Sequence, residues 1–189
     1  MSKTRCAWVN LKNPDYIDYH DHEWGIPILD DKTLFEFMVL ESSQAGLSWE
    51  IILTKRNGYK KAFANFNPKE VATFTNEHVE VLMQNIDIVR NRLKIKATIN
   101  NAQQFLKICH EYGNFSKYLW KFVGGKQLVN DWQTIRDVPT HTDTSIELAK
   151  DLKIKGFKFL GPTTCYAYMQ AVGMVYDHTS NCFKYKKHK

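Results

Sequence analysis

This chain carries many helix-boundary signals and almost no strand patterning, and that contrast limits its folds more than any other feature. Asp30 or Asp31 can cap a helix that carries Leu34, Phe35, Met38 and Glu41 at helical spacing. Asn67-Pro68-Lys69-Glu70 reads as a cap, a first-turn proline and a glutamate at the third helical position. Another helix is expected around Val79, Leu82 and Met83. A longer one should start near Arg90 and carry Leu93, Ala97, Ala102, Phe105 and Leu106 at helical spacing. Ser116 to Val123 reads as a short aromatic helix. Thr144-Ser145-Ile146-Glu147 reads as a capping box whose helix stops at Gly156, and Pro162 opens a helix that Gly173 closes. Long alternating runs of Val, Ile and Thr are missing, so the expected class is all-α. The stretch from about Gly124 to Asp143 is the least regular and is expected to hold a turn or a long loop.

A length of 189 residues allows one sizeable core, or two small lobes sharing one. No apolar run approaches the roughly 20 residues of a membrane helix. Met1 to Arg5 contains no apolar leader, which leads us to expect a cytoplasmic protein, most simply a monomer. The net charge of +6 suits a polyanionic partner. Its distribution is uneven: Ile88 to His110 has no acid but carries Arg90, Arg92, Lys94, Lys96 and Lys107. Such a stretch is either a solvated helix face or a phosphate-facing patch. Lys184, Lys186, Lys187 and Lys189 read as a frayed, solubilising tail. In this compartment the four cysteines should stay unpaired, with Cys109 and Cys165 as small core residues.

Three constellations could carry chemistry. His178 and Cys182 are four apart, and a loop could bring Cys6 and His20 beside them. Two thiolates and two imidazoles would close a tetrahedral zinc site and staple the two ends of the chain together, although isolated Cys/His pairs also occur without any ion. In the run Leu40-Glu41-Ser42-Ser43-Gln44-Ala45-Gly46-Leu47-Ser48-Trp49, an acid ends an apolar helix and a glycine follows in a turn. That acid either pairs structurally or is held for a ligand. Trp8, Tyr16, Tyr19, Trp24 and Trp49 are either core residues or a cage for a flat cation.

These blocks also carry a resemblance. Cys6-Ala-Trp8, Tyr16-Ile-Asp-Tyr19-His20-Asp-His-Glu-Trp24-Gly25 and Leu40-Glu41 through Trp49 are similar to segments of the 3-methyladenine DNA glycosylase I family. So are Gly156-Phe-Lys-Phe-Leu-Gly161-Pro-Thr-Thr-Cys-Tyr166, Gln170-Ala171-Val-Gly173, Asp177-His178 and Cys182, in the family's order across nearly the whole chain. The resemblance implies a helix-hairpin-helix fold with two lobes: residues 28–112, and residues 1–27 with 113–189. It implies structural zinc on Cys6, His20, His178 and Cys182. It places the hairpin near Asn85 to Arg92, where the usual glycines are replaced by Asn85-Ile86-Asp87-Ile88-Val89. Asn and Asp tolerate left-handed backbone best after glycine, so a hairpin turn is compatible with that run.

The implied activity is hydrolysis of the bond between 3-methyladenine and deoxyribose in double-stranded DNA. The base is flipped out and the strand is left uncut, since no lysine stands in a nucleophile's context. Trp49, Tyr16 and Tyr19 would sandwich the cationic ring, bracketed by Trp8 and Trp24. Glu41 would accept hydrogen bonds from the adenine edge. Glu41 and Tyr19 are the candidate catalytic residues. Gln44, Gly46 and Leu47 form the candidate wedge, with Arg90, Arg92 and Lys94 on the DNA backbone. Two rivals stay open here: a non-catalytic reader of alkylated DNA, and a zinc hydrolase. The second fits poorly, because four Cys/His ligands leave no open metal position.

Overall fold

A computed structural model describes residues 3–186. In it, helices α1 (Pro14–His22), α2 (Asp31–Gln44), α3 (Trp49–Ala62), α4 (Pro68–Val71) and α5 (Asn76–Gln84) are followed by α6 (Arg92–Tyr112), α7 (Phe115–Trp120), α8 (Asp143–Ile154) and α9 (Pro162–Ala171). Helix α2 starts because the Asp30 side chain accepts from the Thr33 amide. Its Leu34, Phe35, Phe37, Met38, Val39 and Leu40 are all buried, so it is apolar around its circumference. Such a helix belongs inside a protein, and α2 packs against α3, α6, α7 and α9. Burying a side chain of this kind stabilises by roughly 1.5–3 kcal/mol. One consequence matters for function: the last turn of α2 carries Glu41 into the interior.

The caps at Asp30, Asn67 and Pro162 stand where the sequence puts them. Three other details differ. The capping box before α8 joins Thr142 to Ser145, because the Thr142 side chain meets the Ser145 amide while Ser145 Oγ accepts from Thr142 N. The irregular stretch contains a short strand, β1 (Leu128–Val129), paired in parallel with β2 (Val175–Tyr176), so the class is all-α with one small ribbon. Helices α1 and α3 lack the clear periodicity that marks the others; Asn13 and Ser48 cap them.

The turn of 85–91 between α5 and α6 stands at the expected hairpin. It contains no left-handed residue. Instead Asn85 Oδ1 accepts from the Asp87 amide, and Asn91 caps α6 through the amides of Leu93 and Lys94. Helix α3 presses against this turn at Gly58, where a Cβ would stand 2.2 Å from the Asp87 carbonyl oxygen. The end of the chain is docked as far as it is described. Lys184 Nζ donates to the Asp21 carbonyl and Lys186 lies over the Tyr176 ring. Lys187 and Lys189 fall outside the described residues.

Candidate active site and metal centre

Helix α1, the end of α2, the start of α3 and helix α9 surround a cavity of about 300 Å³. Trp8, Tyr16, Tyr19, Trp24, Glu41, Gln44 and Trp49 all line it, so the aromatic set and the acid converge on one site. The rings form a continuous wall. Trp8 lies 5.4 Å from Tyr16 and 4.9 Å from Trp24 between ring centroids, and Tyr19 lies 5.3 Å from Trp49.

Glu41 is 3% exposed and its Oε2 has no hydrogen-bond partner; Trp49 Nε1 is likewise buried and unpartnered. Unsatisfied buried polar atoms are costly and rare, and two of them on residues that line one cavity mark a place suited to a ligand's donors and acceptors. Burial pushes the Glu41 carboxyl up to about 8. It therefore titrates near neutral pH and ionises readily when a cation or an N–H donor comes alongside. Burial, reinforced by the nearby Glu41, raises Tyr19 well above its ordinary value, so its hydroxyl stays protonated.

The opposite wall comes from far along the chain. Ile135, Val138, Pro139 and Thr140 belong to the irregular stretch, while Thr163, Tyr166 and Gln170 project from α9. Asp177, 1% exposed, holds this wall together. Its Oδ1 accepts from Asn130 Nδ2 at 2.7 Å and Trp132 Nε1 at 2.9 Å. Its Oδ2 accepts from Tyr166 Oη at 2.6 Å and Gln170 Nε2 at 2.8 Å. Four donors on one carboxylate satisfy it without an ion partner. None of these residues received a role from the sequence, although Tyr166, Gln170 and Asp177 stand in the motifs quoted above.

Behind Trp8 and Trp24 lies the second constellation. Cys6, His20, His178 and Cys182 are all buried, and their ligand atoms lie within 4.8 Å of one another. Sγ of Cys6 and of Cys182 each stand 3.5 Å from His178 Nδ1, and Cys182 Sγ stands 3.4 Å from His20 Nε2. A tetrahedral ion with metal–sulfur bonds of about 2.3 Å and metal–nitrogen bonds of about 2.0–2.1 Å sets neighbouring S and N atoms roughly 3.5 Å apart, so the donors fit. His20 Nδ1 bonds Asp21 Oδ1 at 2.8 Å, and Arg5 in turn pairs with Asp21. A carboxylate behind a ligating imidazole fixes its tautomer and orientation. Hydrogen bonding between the thiols, aided by both imidazoles, favours thiolate at Cys182 and thiol at Cys6.

Comparison with known proteins places this geometry. The family of methyladenine glycosylases matches residues 8–185. The chain belongs to the methyladenine glycosylase family. DNA-3-methyladenine glycosylase of Haemophilus influenzae is 48% identical over 181 residues, covering 95% of this chain and 96% of the relative. DNA-3-methyladenine glycosylase 1 of Escherichia coli K12 is 45% identical over 185 residues, covering 98% of each. A tyrosine-to-phenylalanine variant of 3-methyladenine DNA glycosylase I, solved in complex with 3-methyladenine, is similar at 44% identity and a TM-score of 0.90, covering 94% of this chain and 96% of that one. As a member of this family, the chain is a DNA glycosylase.

In this methyladenine glycosylase, the loop between α2 and α3 stands at the cavity's edge. Its Gly46 has φ +81° and open space around it, and Leu47 is partly exposed. The three candidate backbone-binding cations differ in their surroundings. Arg90 is exposed in the hairpin turn. Arg92 is held by both carboxylate oxygens of Glu80, one at 2.8 Å. Lys94 is half-buried and turned back onto the protein, donating to two backbone carbonyls. Among the described residues, no helix is long and apolar enough to cross a membrane.

Proposed function

We propose that this chain hydrolyses the N-glycosidic bond of 3-methyladenine in alkylated double-stranded DNA, acting on a base flipped into the aromatic cavity. The observation that carries this is the pair of unpartnered buried polar atoms, Glu41 Oε2 and Trp49 Nε1, in a cavity walled by Trp8, Tyr16, Tyr19 and Trp24. A planar cation with N–H donors satisfies the acid and stacks on the rings. The relatives' names and the solved complex with 3-methyladenine support the same lesion.

The lesion's positive charge makes the base a good leaving group. As the bond from C1′ to the base breaks, its electron pair neutralises the ring. Water's oxygen then bonds C1′ and a proton is lost. Glu41 receives hydrogen bonds from the adenine edge, Trp49 and the Tyr16/Tyr19 pair stack on the ring, and Tyr19 keeps its proton beside Glu41. Among the described residues lining the cavity there is no lysine, which supports hydrolysis without an imine intermediate or strand cleavage. Gln44, Gly46 and Leu47 enter the stack as the base leaves it. Arg90 and the hairpin turn grip phosphate between the lobes of residues 28–112 and of 1–27 with 113–189.

Cys6, His20, His178 and Cys182 would hold zinc, whose chemistry there is structural: four ligands close the coordination sphere and join the chain's ends. The experiment is incubation with methylated duplex DNA, followed by chromatography for free base and electrophoresis for nicks. Release of 3-methyladenine from unbroken strands is expected. Tight binding with no free base would make the protein a lesion reader instead.

A further inference from the structure

Lys94 belongs to the acid-poor stretch that favours phosphate, yet its ammonium is already engaged. Nζ donates to the Ser43 carbonyl at 2.8 Å and to the Ala45 carbonyl at 2.6 Å, so two of its three donors are used. Both acceptors lie at the C-terminal end of α2, where the last carbonyls have no intrahelical partner. Helix α2 has no cation of its own in its last turn, and Ala45 leaves helical geometry at φ −42°, ψ 114°. A positive charge is favoured at that end of the helix dipole. Here it arrives from the first turn of α6, 49 residues away along the chain from Ala45.

The place it grips is the junction on which the proposed base reading depends. Glu41 stands in the last turn of α2 a few residues upstream, and Trp49 begins α3 just downstream. Between them, Gly46 is in open space, and the loop closes on itself through Leu47 N to the Gln44 carbonyl at 2.6 Å and Gln44 Nε2 to the Leu47 carbonyl at 3.4 Å. We propose that Lys94 is a positioning residue which, by bracketing the Ser43 and Ala45 carbonyls, sets the Gln44–Ser48 loop for insertion into DNA and ties it to the hairpin helix α6. The inference rests on the glycosylase reading given above. It separates Lys94 from Arg90, which is exposed and available to phosphate. Burial lowers the Lys94 pKa, consistent with an ammonium facing protein.

The test uses Lys94→Met, with Lys94→Gln as a second variant that retains a donor, beside Arg90→Ala and the parent. Three quantities are measured: the salt dependence of binding to undamaged duplex, single-turnover release of 3-methyladenine, and fluorescence of 2-aminopurine placed beside an abasic site. Arg90→Ala should lower the salt slope by about one unit. Both Lys94 variants should keep the parent's slope, lose the 2-aminopurine signal of loop insertion, and excise about ten- to a hundredfold more slowly, as expected of a displaced reacting geometry. A salt slope lowered by about one unit, with uniform loss of affinity, would make Lys94 a phosphate contact and overturn the proposal. So would a reduced melting temperature with excision and fluorescence unchanged, which would make Lys94 a helix cap alone. If the parent itself released no base, the glycosylase reading would fail. The fluorescence arm needs no excision and would still decide the role of Lys94.

Discussion

At the scale of single residues, Glu41 concentrates the chemistry. An acid at the end of an apolar helix is ambiguous in sequence, because burial and partners cannot be read from it. The structure resolves the ambiguity: the carboxyl is enclosed, one oxygen has no partner, and burial pushes it from its ordinary 4.5 up to about 8. The sign of the linkage follows. A carboxyl that holds its proton more tightly folded than unfolded favours folding below its unfolded pKa, and that contribution is lost as pH rises from about 4.5 to about 8. Glu41→Gln cannot titrate. The parent should therefore lose more melting temperature than Glu41→Gln between pH 5 and pH 8, as read by paired thermal melts across that range. Parallel curves for the two proteins would show that Glu41 ionises like an exposed acid. Binding a permanently cationic base pulls the other way, drawing the proton off Glu41, so lesion affinity should strengthen with pH over the same window.

At the scale of elements, the site depends on how helices abut. Trp49 is the first residue of α3, and α3 is fixed by Arg56, whose guanidinium reaches Glu23 at 2.8 Å and Glu36 at 2.7 Å. Its other end meets the hairpin turn at Gly58. A Cβ there would lie 2.2 Å from the Asp87 carbonyl oxygen, which is backbone and cannot swing aside. Gly58→Ala should thus destabilise the protein by about 1–3 kcal/mol, the range for forced overpacking. It should also weaken binding to undamaged DNA, because the turn proposed to grip phosphate must shift. Chemical denaturation and a duplex titration check both effects; an unchanged denaturation midpoint would show that the α3–hairpin contact is loose. Such contacts leave little trace in sequence. Gly58 sits mid-helix with no turn signal around it, whereas the caps at Asp30 and Asn67 are local and legible.

At the scale of the whole molecule, two buried clusters share a wall. Trp24 packs edge-on against His178 with ring centroids 4.7 Å apart, and Trp8 packs on His20 at 5.3 Å, while both tryptophans also line the cavity. A metal joining Cys6 and His20 to His178 and Cys182 would therefore brace the base pocket as well as the chain's ends. Metal analysis of protein purified without chelator should find about one zinc per chain. Prolonged chelation, or Cys182→Ser, should destabilise the protein by several kcal/mol, since metal binding and folding are linked. A melting temperature indifferent to both would remove the structural role. The near wall of the pocket and the donor set were legible because their residues stand in dense, recognisable blocks. The far wall was not: Ile135, Val138, Pro139 and Thr140 come from a stretch without periodicity, and the Asp177 network together with the β1–β2 pairing brings it across the cavity. Hydrogen bonds between residues 45 or 47 positions apart cannot be inferred from local pattern.

Under the proposed function this cavity, through Glu41, reads the methylated base itself. Calorimetric titration of free 3-methyladenine into the parent and into Glu41→Gln at one pH tests it most directly. The parent should bind about one equivalent. Losing a charge-assisted hydrogen bond worth roughly 1.5–3 kcal/mol should weaken the variant about ten- to a few hundredfold. Equal affinity in a variant with an unchanged melting temperature would contradict the claim and leave Glu41 without a part in base recognition.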